Sequence, residues 1–188
     1  MCDNRRRWRE AKLSGNFFIS LLNPGIGFLL ATAFALLWAN RRDKAYVGIA
    51  AVSYAISGLA FLIQDVGPRL PRDIHLIASN LCFMMAGYTL ASAILLRYEL
   101  RPPHLLLSTI TVIAMSGQQW FLLVEPNLAG RIYSVSFALG IMALIVAVRL
   151  YRIEKRQLTD RLLCWVAALS AANFILRPIL IITLTGSF

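Results

Sequence analysis

Apolar runs of about twenty residues recur six times along this chain, and the short stretches between them, together with the N-terminal tail, hold nearly all of its charge. A hydrocarbon core about 30 Å thick takes about 20 residues of helix to cross, and backbone polar groups inside it must bond within their own segment. Runs of this length therefore predict transmembrane helices. They cover residues 17–39, 45–63, 75–96, 104–124, 132–148 and 162–184, following a basic N-terminal tail at 1–16. The expected fold is all-α, an integral membrane bundle of about six transmembrane helices. Basic residues before the first run give it the look of a signal peptide, but its length and the five runs that follow predict a retained span.

Composition excludes a soluble domain. Of 188 residues 59% are apolar and 15% charged, and the mean hydropathy is positive, so no water-facing surface of ordinary polarity can be built. The net charge of +10 does not predict a nucleic-acid partner, because the basic residues flank the spans and leave no domain-sized polar face. Anionic lipid headgroups are the expected counterions, with five basic residues in the tail and five between Arg149 and Arg161. No metal or cofactor is expected: Cys2, Cys82 and Cys164 form no CxxC pair, and His75 and His104 lie at span edges.

Short cytoplasmic connections are enriched in Lys and Arg. The first, third and fifth connections carry ten such residues against three in the second and fourth, which predicts the odd-numbered ones on the cytoplasmic side. The five basic residues of the tail would then lie outside.

Polar residues within the spans are the informative ones, because each must find a partner in a medium without water. Arg177 lies deep in the sixth span, with Asn173 four residues and Ser170 seven residues before it on one helix face, and with Pro178 following. The three suggest an internal cationic site or an interhelical latch; the competing reading has Arg177 reaching the interface along its stem and Asn173 packing against a neighbouring helix. The fourth span carries a stripe of Ser108, Thr111 and Gln118, which interhelical hydrogen bonding explains without a ligand. Tyr54, Ser57 and Gln64 share a face of the second span, and the third offers Ser79, Asn80 and Tyr88. A polar pocket among the second, third, fourth and sixth spans is one arrangement consistent with them. Trp120 and Tyr133 read as interface anchors. Small residues four apart, Gly87 with Ala91 and Ala168 with Ala172, permit close helix approach and dimerisation. Phosphate-binding glycine loops, HExxH, GxSxG and paired carboxylates are absent from the sequence, so no catalytic residue is assigned.

Several segments carry a resemblance: Ser53-Tyr54, the run from Gly58 to Gln64, Ser79-Asn80, Trp120-Phe121-Leu122, Arg131-Ile132-Tyr133, the stretch from Asp160 to Leu163, and the stretch from Asn173 to Pro178. In order and spacing they resemble the N-terminal membrane region of alphaproteobacterial GGDEF-type diguanylate cyclases, over nearly the whole chain after about residue 20. In that family about seven helices precede a cytoplasmic domain that makes cyclic di-GMP from two GTP. The sequence contains no Gly-Gly-Asp-Glu-Phe stretch and stops at Phe188 after the sixth span, so what it resembles is a sensor without its output. The resemblance implies a sensory input module in a bacterial inner membrane, acting as a homodimer on an unspecified stimulus, with catalysis only as part of a longer cyclase. Arg177, Asn173, Asn80, Tyr54, Gln64 and Gln118 are the expected intramembrane polar centre. The rival expectation is a small carrier or channel-like protein, which internal inverted repeats would favour; none is evident. A lipid-modifying enzyme is disfavoured by the lack of intramembrane acid or histidine pairs.

Overall fold

A computed structural model describes residues 2–66, 71–153 and 158–185. They form six helices, α1 (Cys2–Asn40), α2 (Ala45–Val66), α3 (Arg72–Arg97), α4 (His104–Leu123), α5 (Leu128–Tyr151) and α6 (Leu158–Thr185), with no strand among the described residues. Each contains a segment long and apolar enough to cross a membrane. This is a multi-pass membrane protein.

The helices outrun the apolar segments that announce them. α1 continues back through the basic tail to Cys2, and α5 begins at Leu128, four residues before the expected start, because the Asn127 side chain caps it by accepting from the Gly130 N–H at 3.0 Å. α3 ends in a left-handed turn at Glu99, whose φ is 57°. There Glu99 N–H donates to the Leu96 carbonyl and Leu100 N–H to the Leu95 carbonyl, the six-to-one pairing that closes a helix C-terminus. Pro102 and Pro103 follow and prevent α3 from continuing. The expected turns at 67–70 and 154–157 lie outside the described residues.

Water is not available to drive apolar helices together inside a bilayer, so small residues and close contact must do it. α1 packs on α2, α2 on α3, and α5 on α3, α4 and α6. At the α1–α2 crossing, a Cβ added to Gly27 would stand 2.8 Å from the Gly58 Cα. At the α5–α6 crossing Gly140 faces Ala171 and Ile175. α5 is the central element. Leu95, Leu107, Met142, Val146, Leu150 and Ala167, from α3, α4, α5 and α6, form the main buried cluster around it, and Met84, Ala114, Met115 and Ala138 form a second where α3, α4 and α5 meet.

Candidate functional site

The arrangement of contacts leaves a gap. α2 leans on α3 and α6 leans on α5, and α2 and α6 share no packing contact among the described residues. Between them, floored by α3 and α5, runs a partly open cleft of about 450 Å³. Its length follows from its lining on α3, which extends from Phe83 to Arg97, about 20 Å at 1.5 Å per residue. Small residues on α3, among them Ala86, Gly87 and Ala91, make the room, and Leu139, Met142 and Val146 of α5 face them. Phe34 of α1, Phe83 and Phe174 add aromatic walls.

Polar side chains in the cleft come from Tyr46, Ser53, Tyr54 and Ser57 on α2, Arg97 on α3 and Ser170 on α6. Residues 46, 50, 53, 54 and 57 recur at helical spacing, which puts them on one side of α2. Ser53 is spent on structure: its buried hydroxyl donates to the Ala86 carbonyl at 2.8 Å and ties α2 to α3. Tyr54 stacks on Phe34 with ring centroids 5.3 Å apart. Arg97 and Tyr46 mark the same end of the cleft, because α2 starts where α3 ends. That end is braced by Tyr98, whose hydroxyl donates to Asp160 Oδ1 of α6 at 2.6 Å. Burial, and then the bond to the Asp160 carboxylate, push the Tyr98 phenol up to about 12. The Arg97 guanidinium sits 5.6 Å from the centre of the Tyr98 ring, exposed, and makes no ion pair among the described residues.

Of the six residues expected to form a polar centre, the structure brings only Tyr54 into the cleft. Ser170, the companion of Arg177 and Asn173 by spacing, also lines it. Asn173 and Arg177 are exposed on α6, and neither has a hydrogen-bond partner among the described residues. Asn80 is half-buried on α3; Gln64 is exposed at the end of α2, where its carbonyl accepts from His75 Nε2 at 3.1 Å. Gln118 is fully buried on α4, 0% exposed, and its Nε2 donates to the Leu76 carbonyl of α3 at 3.3 Å while its Oε1 has no partner among the described residues. α5 takes the place in the pocket that the sequence allotted to the fourth span.

Many span hydroxyls bond within their own helix. Thr32, Thr89, Ser92, Thr109, Thr111, Ser134 and Thr183 each donate to the carbonyl four residues earlier in their own helix. The stripe on α4 therefore reduces to a single interhelical bond, that of Gln118. His104 is held by Tyr88, with Nδ1 and the hydroxyl 2.8 Å apart. Gly87 and Ala91 are used within the chain: a Cβ on Gly87 would collide with Leu139 of α5, and Ala91 belongs to the main core. Sequence reasoning missed Arg97 and Ser53; the signal available was that Ser53 shares a helical face with Tyr46, Tyr54 and Ser57.

Comparison of the chain with protein-family models, with curated proteins and with solved structures gives no significant match in any of the three.

Proposed function

We propose that this chain is a membrane-embedded signal-input module of the kind that precedes diguanylate cyclase domains, set in a bacterial inner membrane, and that its stimulus acts in the cleft between α2, α3, α5 and α6. The observation that carries the reading is where the resembling segments fall: Ser53 and Tyr54 from one, and Phe174 from another, are cleft-lining residues on opposite walls. A molecule that fills the cleft must alter how α2 and α3 sit against α5 and α6, which is the differential interaction a two-state input needs. The chain itself supplies no reacting groups; its part is to bind and to shift helix packing.

The same reading makes the protein a homodimer. On α6 the residues Leu162, Trp165, Leu169, Ala172, Leu176 and Ile179 are all exposed and recur at alternating spacings of three and four, the pattern of a helix-to-helix seam. Asn173 stands beside that seam and can both donate to and accept from its own copy across a two-fold axis. Single cysteines at Leu169 or Leu176, in a chain with Cys2, Cys82 and Cys164 replaced, should cross-link between copies in membranes, and Asn173→Leu should reduce the yield. Cross-linking no stronger than at Leu105, exposed on α4, would remove this seam.

The test of the input-module reading is the mass of the endogenous protein, from an immunoblot of source-cell membranes with an antibody to the basic N-terminal tail. A band far above the 21.0 kDa of this chain is the expected result. A band at that mass would favour a protein acting alone, as a carrier or channel does.

A further inference from the structure

The cleft has a polarity along its length. At one end stand Tyr46 and the exposed Arg97, which makes no ion pair among the described residues; below them the walls are Leu90, Ile94, Met142 and Val146, with Phe83 and Phe174 at the far end. Arg97 closes α3 at the limit of its membrane-crossing segment, Asp73–Arg97, and so lies at headgroup depth while the walls lie in the hydrocarbon. Asp160, beside this mouth, is engaged by Tyr98, and no acid is among the described residues that line the cleft. A volume of about 450 Å³ spread along about 20 Å of helix makes the cleft long and narrow, the shape of an extended hydrocarbon chain.

From this we infer that the cleft is the binding site of a single-chain anionic amphiphile, with its head on Arg97 and Tyr46 and its acyl tail lying between α3 and the α5–α6 pair. The inference rests on the cleft being a ligand site, as proposed above, and adds the chemical class of the ligand. Arg97 supplies a planar fork of donors that suits a carboxylate or a phosphate monoester equally. The head could thus belong to a free fatty acid or to a lysophospholipid, which share this chemistry. The hydroxyls of Tyr54, Ser57 and Ser170 line the middle of the cleft about 10–16 Å from the mouth, counted along α2 and α6. They can hydrogen-bond an oxygen atom carried near the middle of the chain.

The test is binding of radiolabelled palmitate to the full chain in detergent. Saturable binding of one palmitate per chain is expected, weakened about tenfold by Arg97→Gln through loss of the charge-assisted bonds. Hexadecanol, the same tail without the charge, should bind wild type and Arg97→Gln alike. Val166→Trp adds bulk at a cleft-lining position that is 58% exposed and belongs to neither buried cluster; it should fold and should exclude palmitate. Lysophosphatidic acid competing better than palmitate assigns the head to phosphate, and palmitate competing better assigns it to carboxylate; either supports the inference. No saturable binding overturns it, as does binding indifferent to both substitutions or displaced only by two-chain phosphatidylglycerol. Palmitate binding that leaves cyclic di-GMP unchanged in cells would overturn the input-module reading and leave the ligand assignment standing.

Discussion

At the scale of single residues, two side chains make opposite demands on the fold. Tyr98 is well used. Its phenol, pushed up to about 12 by burial and by Asp160, lies above the ordinary tyrosine value of about 10, so the unfolded chain gives up this proton first. The stabilisation is therefore fully present below pH 10 and is lost as pH rises from about 10 to about 12. Thermal melts of the chain in detergent should show that loss in wild type. Tyr98→Phe should lack it and be less stable by about 1 kcal/mol at pH 8. Gln118 is badly used: its Oε1 is buried without a partner among the described residues, and its donor bond is long at 3.3 Å to a carbonyl that Ser79 also reaches. Leaving such an oxygen buried costs about 1–3 kcal/mol. Gln118→Leu should thus be neutral or stabilising by up to about 1 kcal/mol, and Gln118→Glu destabilising by more than about 2 kcal/mol. A strongly destabilised Gln118→Leu in the same melts would contradict this reading of the amide as poorly satisfied.

At the scale of helices, the number and rough position of the six elements were legible in the sequence, because a twenty-residue apolar run has few other fates. Which face of each helix packs was not. In a soluble protein the core-facing side is the apolar side; here lipid and core are both apolar, so periodicity carries little of that information. α5 reads as a featureless apolar run and is the central helix. Ser170 and Arg177 share a stripe by spacing, and only Ser170 lines the cleft. The polar stripe on α4 looked interhelical, yet Thr111 bonds within its own helix, an option that i−4 carbonyls always offer, and only Gln118 reaches another helix. Close approach of backbones was equally hidden among many glycines. Gly27 is the sharp case, since its added Cβ would meet the Gly58 backbone at 2.8 Å, whereas one on Gly25 would meet nothing within 4 Å. Gly27→Ala should cost about 2 kcal/mol, within the range for overpacking, and Gly25→Ala should cost little. Equal melting temperatures for the two variants would contradict the α1–α2 crossing described above.

At the scale of the whole molecule, the helices form two units that meet along α3 and α5: α1 with α2 and α3, and α4 and α6 around α5. The cleft lies along that junction, with the Tyr98–Asp160 bond bracing its mouth. The sequence suggests a pocket that the second, third and sixth spans share but places the fourth span in it, because the α5 residues that face the cleft, Leu139, Met142 and Val146, are aliphatic and only packing shows which way they turn. In the function proposed above, the cleft's place between the two units is what would link occupancy to helix arrangement. The most direct test is the cyclic di-GMP content of cells that make this protein, with Val166→Trp filling the cleft and Val112→Trp, a comparably exposed residue on α4 outside it, as control. A severalfold change for the cleft variant alone, at equal protein level, is the predicted result. Unchanged cyclic di-GMP in both strains would contradict the claim that this cleft is a signal input.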